Sequence, residues 1–168
     1  MTPATLILMA IGAPLVGAVL VLLTGRSPNL REAVSTLTTL VTFGIVMKLL
    51  PEVMNGGEPG IALFEVLPGL EISFHVEPLG MLYALVASGL WIPTGLYAIG
   101  YCRGHDEENQ TRFFACFALA IGAALGIAMA ANLFTLFVFY EVLTLSTFPL
   151  VAHKGDANAL RGGRIYLM

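Results

Sequence analysis

The sequence predicts an all-α membrane protein with about five transmembrane helices and one short β-hairpin outside the membrane. Of its 168 residues, 57% are hydrophobic and 11% are charged, whereas a soluble domain carries about 25% charged residues. Several uncharged stretches are also long enough to cross the ~30 Å hydrocarbon core of a bilayer. The formal charge of −3 excludes a protein that binds nucleic acid through a basic face. We therefore expect the lipid bilayer, and no nucleic acid, as a partner.

The first three spans are predicted over residues 4–24, 31–50 and 78–101. Residues 1–25 contain no charged side chain, and we interpret them as a retained helix because they lack the positive start of a cleaved signal peptide. The second span is expected to end before Pro51. Because it is rich in Ser and Thr, we expect it to face protein more than lipid. The third span carries aromatic residues towards its end, as helices do at a membrane interface.

Residues 113–152 predict two further spans. These 40 residues contain one acidic or basic side chain, Glu141. A single helix of this length would run about 60 Å, twice the thickness of the hydrocarbon core. Because Asn132 is the strongest polar interruption near the middle, we expect a tight turn there, between helices over 113–131 and 133–152.

The basic residues predict that the N-terminus lies outside and the C-terminus inside. With five spans, the inner segments are residues 25–32, 103–112 and 153 onward. They contain seven of the eight basic residues, namely Arg26, Arg31, Arg103, Arg112, Lys154, Arg161 and Arg164. Lys48 alone falls on the outer side. This split is the one that the positive-inside rule describes.

The outer loop, residues 51–77, predicts the hairpin. From position 70 to 77, apolar residues alternate with polar ones, which is the period of a strand with one covered face. The pair Pro68-Gly69 precedes this segment and is typical of a turn. We expect a short hairpin that lies on the outer face.

Glu141 is the principal candidate for chemistry. It lies about nine residues, or roughly 13 Å, beyond the turn at Asn132, which places it near the middle of the membrane. Acids at this depth are costly when ionised and usually belong to ion or proton paths. Burial raises the pKa of a carboxyl group and a nearby cation lowers it, so a group between both influences can exchange protons. The alternative is a structural glutamate that stabilises helix packing.

Other polar residues of the same segment form a candidate proton path towards the inner surface. Its members are Thr144, Ser146, His153 and Lys154. Pro149 lacks the amide that would bond the carbonyl of Leu145, so a kink is expected there. For His153 and Lys154, the alternative is an interfacial cluster whose side chains extend towards water.

Small residues on the fourth helix predict close helix packing. Gly122, Gly126 and Ala130 recur every four residues, which allows another helix to approach the backbone. The acidic run Asp106, Glu107 and Glu108 resembles a metal site in composition alone, and we expect it to be solvated. The sequence contains no Gly-rich phosphate loop, no CxxC pair and no G-x-S-x-G motif. We therefore expect no cofactor, no metal and no enzymatic activity from this chain alone.

Two segments carry a family resemblance. Residues 132–146 read NLFTLFVFYEVLTLS, and residues 96–101 read LYAIGY. Together they resemble the antiporter-like membrane subunits of respiratory complex I, of Mrp-type multisubunit sodium/proton antiporters and of membrane-bound hydrogenases. The segment FHVEPLG before the third span is also similar, although Glu77 and Gly80 depart from the family pattern, so no role is carried onto them.

The resemblance implies that Glu141 is the proton-relay glutamate of the fifth helix. It covers about the first third of such a subunit and is closest to the D-type subunit of the Mrp group. It also implies that the lysine partner of this glutamate comes from a later helix, and that residues 159–168 open a sixth helix that is cut short. The expected partners are other membrane subunits and protons, with sodium as an open alternative, in a bacterial inner membrane.

Two functions follow as hypotheses. The first is a proton-translocating or cation/proton antiporter subunit of a multisubunit complex, in which Glu141 exchanges protons. The second is a membrane scaffold that docks to such a complex and transports nothing. Any redox activity, as in a complex of the NADH-quinone oxidoreductase type, would belong to the assembled complex.

Overall fold

Five long helices and one β-hairpin form the part of the chain that the structure describes, as the sequence predicts. The computed structural model describes residues 2–105, 107–153, 161–163 and 165. The elements in order are α1 (Pro3–Leu23), α2 (Pro28–Met54), β1 (Gly60–Leu67), β2 (Leu70–His75), α3 (Pro78–Gly104), α4 (Gln110–Ala128) and α5 (Leu133–Val151). Each helix is long and apolar enough to cross a membrane by its length and composition. The prediction of an all-α membrane protein with five spans and a hairpin is confirmed.

Some helix ends differ from the predicted ones. Helix α2 passes through Pro51 and continues to Met54, because a proline removes one N–H donor but does not by itself prevent one further turn. Helix α3 ends at Gly104, three residues beyond the predicted end of its span. Of the predicted sixth helix, the structure describes residues 161–163 and 165, which are helical.

Helix α4 ends at Ala128, earlier than predicted, and this places Ala130 outside the helix. The reason is a competing set of hydrogen bonds from β2. The His75 amide donates to the Met129 carbonyl at 2.8 Å, and the Ala131 amide donates to the Ser73 carbonyl at 3.0 Å. Ala130 forms a β-bridge with Phe74. The predicted ridge of small residues is therefore shorter by one member.

Helix α1 lies at the centre of the helix arrangement. It packs against α2 on one side and α4 on the other, while α3 packs against α2 and α5 packs against α4. The main apolar core includes Ile7, Ala10, Val46, Leu49, Met81, Leu125 and Met129. Helix α5 is the least enclosed, since Thr135 and Ser146 are its two buried residues.

The hairpin is docked on the turn between α4 and α5. Strands β1 and β2 are antiparallel, and Gly69 adopts a φ of 81° in the connecting turn. Ser73 is buried, although the two-residue period predicts it on the polar face. It is covered because its amide donates to Thr135 Oγ1 at 3.0 Å and its hydroxyl accepts from Asn132 Nδ2 at 2.9 Å.

Candidate functional site

Glu141 lies near the middle of α5, between its first residue, Leu133, and its last, Val151. The side of α5 that packs on α4 carries the buried residues Thr135 and Ser146. Glu141 is exposed and lies off that side. Within the described residues it forms no hydrogen bond and no ion pair. The carboxyl group is thus free to interact with a group that this part of the chain does not supply.

The surface around Glu141 is strongly apolar. Phe137, Tyr140 and Leu145 are 57%, 54% and 65% exposed, and Leu133 at the start of the helix is 83% exposed. These residues recur at helical spacing and form one stripe, which we call the open face of α5. Carboxyl groups within apolar helices of membrane proteins usually belong to ion paths or to contacts between helices.

The candidate path residues do not form one line along α5. Thr144 lies one turn from Glu141, and its hydroxyl donates to the Tyr140 carbonyl at 2.9 Å. Ser146 is buried on the α4 side, and its hydroxyl donates to the Leu143 carbonyl at 2.9 Å. Both hydroxyls therefore bond carbonyls of their own helix. Lys154 lies outside the described residues.

Pro149 lies inside α5, and the helix continues past it to Val151. The carbonyl of Leu145 has no amide donor from position 149, because proline lacks an N–H group. Leu145 itself is exposed. Pro149 thus leaves the Leu145 carbonyl, one turn beyond Glu141, without this hydrogen bond within the helix.

His153 follows the end of α5 and faces the connection between α3 and α4. Its Nε2 lies 3.8 Å from Glu107 Oε2. Its ring packs edge-to-face on Phe113, with 5.4 Å between the ring centroids. The sequence predicts a solvated Glu107, but its side chain is 22% exposed. Glu107 is thus partly shielded from solvent, because the connection folds back against the end of α5.

The two glycines of the α4 ridge contact different helices. A Cβ atom at Gly122 would lie 2.9 Å from Leu15 Cδ2 of α1, and one at Gly126 would overlap the ring of Phe139 on α5. Each glycine therefore allows a close approach, as the ridge predicts, but to two partners instead of one. The predicted roles of these residues in packing remain to be tested by substitution.

A charged cluster with two buried members joins the ends of α2, α3 and α4, and the sequence does not predict it. Arg31 and Glu32 are 5% and 7% exposed, although the predicted inner loop includes both. Arg31 donates to Gln110 Oε1 at 2.6 Å and to Thr111 Oγ1 at 3.2 Å. Glu32 accepts from Arg103 Nε at 3.0 Å. Glu32 and Arg103 are 71 positions apart in the chain, so no local pattern indicates their contact.

Comparison with known proteins shows one recurrent kind of relative. The Na(+)/H(+) antiporter subunit A1 of Staphylococcus aureus strain bovine RF122 / ET3-1 is 30% identical over 91 residues, which are 54% of this chain and 11% of the relative. The subunits of strains JH9 and Newman match to the same extent. The chain thus spans about a tenth of the length of these relatives, as the 11% coverage shows. No family model matches the sequence.

A solved structure shares the fold. It is a chain from the structure of the membrane-bound sulfane sulfur reductase (MBS), described as an archaeal respiratory membrane complex. The TM-score is 0.78 at 18% sequence identity, and the match covers 95% of this chain and 24% of that chain. The five helices and the hairpin are therefore the arrangement found in a subunit of a larger membrane assembly.

Proposed function

From the homology and the shared fold, which support an antiporter-like membrane subunit family for this integral membrane protein, we propose that the chain belongs to a cation/proton antiporter-type subunit. In this proposal the chain is part of a multisubunit membrane complex, and the other membrane subunits of that complex are its partners. The transported ion is the proton, either alone or in exchange for sodium. The Staphylococcus relatives are consistent with a bacterial plasma membrane.

One observation carries the proposal at the level of residues, namely the position of Glu141. It is an acid near the middle of an apolar 19-residue helix, on the open face and without a partner in the described chain. A carboxyl group in the hydrocarbon region is most stable when protonated, whereas a neighbouring cation stabilises the carboxylate. A change in the occupancy or position of such a cation then makes Glu141 bind or release a proton.

The cation is proposed to come from another membrane segment that covers the open face. A lysine is the group that the family resemblance implies. At a separation of a few ångströms in a medium of low dielectric constant, Coulomb attraction is strong enough to couple the protonation of the two groups. The apolar residues Phe137, Tyr140 and Leu145 would then pack on the same segment and exclude lipid from the pair.

Replacement of the carboxyl group by a neutral amide tests this proposal. In membrane vesicles that contain the whole complex, we expect Glu141→Gln to abolish proton translocation and sodium-dependent proton release while the complex still assembles. Glu52→Gln changes an exposed acid next to Pro51 in the last turns of α2 and is the matched control. Normal transport by Glu141→Gln would contradict a relay role.

A non-transporting scaffold is the second candidate, favoured by the large apolar area of the open face of α5. In that case Glu141 would form an interhelical hydrogen bond that helps a partner to dock. The same substitution separates the two candidates. Loss of assembly without a specific loss of transport in the remaining complex would favour the scaffold.

A further inference from the structure

A second polar site lies in the described chain, at the end of the helices opposite the hairpin. A half-open, largely apolar cavity of about 510 Å³ lies there between α3, the start of α4 and the end of α5. On α3 its lining extends from Thr94 to Cys102, which corresponds to about 12 Å along the helix. Its volume is typical of small-molecule sites in proteins, which are clefts of roughly 300–1,000 Å³.

The titratable groups Glu107 and His153 line this cavity together. They approach to 3.8 Å, and their side chains are 22% and 15% exposed. Both are thus partly removed from solvent yet open to the cavity. At this distance the two groups attract one another when His153 is protonated, although they form no direct hydrogen bond.

The histidine is held by its main chain and by one face of its ring. Arg112 Nη2 donates to the His153 carbonyl at 3.2 Å, and the ring packs on Phe113. In contrast, the buried Nδ1 atom has no hydrogen-bond partner within the described residues. No acceptor or donor in that part of the chain therefore fixes the orientation of the ring through Nδ1.

The other titratable groups around His153 are few. In the described part of the chain, Tyr97, Tyr101 and Cys102 of α3 line the cavity, and Arg112 of α4 contacts the main chain of His153. The guanidinium group of Arg112 opposes a positive imidazole ring, but it bonds the main chain, while the Glu107 carboxylate lies beside the ring itself. Histidine is the residue type that most often serves as a proton shuttle in proteins.

We propose that the Glu107–His153 pair is a proton-collecting site that exchanges protons between the adjacent aqueous phase and the cavity. A proton from water binds a ring nitrogen of His153, and the imidazolium pairs with the Glu107 carboxylate. The same N–H bond then breaks as the proton passes to water in the cavity, so no oxidant, reductant or further reactant takes part. The cavity extends from the pair along α3 as far as Thr94, and Glu141 lies in the same direction along α5 without lining the cavity.

This inference rests on the proposed transport function, since a proton-collecting site has no role in a scaffold. It adds a site whose His153 lies 12 positions after Glu141 in the chain and two residues beyond the end of α5. The two sites can therefore be tested separately. The pair would set how fast protons are supplied when they are scarce, and Glu141 would be needed at every pH.

The test uses the assembled complex in membrane vesicles, with transport measured as a function of pH. We expect His153→Ala and Glu107→Gln to lower the transport rate several-fold at alkaline pH and to change it little at acidic pH. Added imidazole, a mobile proton carrier that fits the space of the missing ring, should restore the rate of His153→Ala. A purely structural role would not produce such a rescue.

Matched controls exist in the same connection between α3 and α4. His105 is exposed and stacks on Tyr101, and Glu108 is an exposed acid beside Glu107. His105→Ala and Glu108→Gln should keep the wild-type pH profile. The inference is overturned if both test variants show the wild-type profile, or if their loss is equal at all pH values and imidazole does not restore it. If Glu141→Gln abolishes transport while His153→Ala and Glu107→Gln keep the wild-type pH profile, the proposed function stands without this site.

Discussion

Gly126 determines how closely α4 and α5 approach one another. The ring of Phe139 occupies the space in which a side chain at position 126 would begin. Phe139 also packs edge-to-face on Phe74 of the hairpin, with 5.5 Å between the ring centroids. Any displacement of this ring is therefore transmitted to β2 as well as to α5.

We expect Gly126→Ala to destabilise the protein by about 1–3 kcal/mol, because overpacking forces Phe139 from its position. Thermal unfolding in detergent would measure the effect. Gly12→Ala on α1 is the matched control, since a Cβ atom there meets open space. The double variant Gly126→Ala/Phe139→Leu should recover part of the loss. Equal stability of Gly126→Ala and the wild type would show that the contact is not tight.

The turn between α4 and α5 joins two helices and a strand through one side chain. Asn132 Oδ1 accepts a hydrogen bond from the Thr135 amide at 2.7 Å and caps the start of α5. The Nδ2 group of Asn132 donates to the Glu71 carbonyl at 2.9 Å and to Ser73 Oγ at the same distance. The residue that interrupts the apolar run thus also anchors the hairpin.

Asn132→Ala should lower the free energy of unfolding by about 1–3 kcal/mol, since it removes a helix cap and two further hydrogen bonds. Hydrogen exchange should increase both in β2 and in the first turn of α5. The control is Asn55→Ala, whose side chain forms no hydrogen bond in the described chain. Faster exchange in α5 but not in β2 would show that the hairpin is held by other contacts.

The five helices as a whole leave α5 at the rim of the arrangement, with α4 as its main helical neighbour in the described chain. This position places Glu141 where another membrane segment can reach it. The hairpin lies at one end of the helices, and the Glu107–His153 pair lies at the other. The orientation of these two ends relative to the membrane determines from which side protons would be collected.

The positive-inside rule predicts that the hairpin lies outside and the α3–α4 connection inside. In a background with Cys102 and Cys116 replaced by Ser, we expect a cysteine introduced by Glu65→Cys in the hairpin to react with an impermeant thiol reagent in intact cells. A cysteine introduced by His105→Cys should react with the reagent only after the membrane has been permeabilised. The reverse pattern would invert the proposed topology.

Hydropathy and turn chemistry determined the number of spans, the turn at Asn132 and the hairpin turn at Pro68-Gly69, because these features depend on neighbouring residues. The same reasoning identified Glu141 as an acid within an apolar helix. It could not identify the end of α4, because hydrogen bonds from β2, more than fifty residues earlier in the chain, decide where that helix stops.

Only the tertiary structure brought Glu107 to His153 and Arg103 to Glu32, and only it showed that Glu141 is on the open face of α5. These contacts join side chains far apart in the chain. The physical reason is that hydrophobic periodicity reports how much of a helix is covered, whereas packing between whole helices decides which charged groups meet.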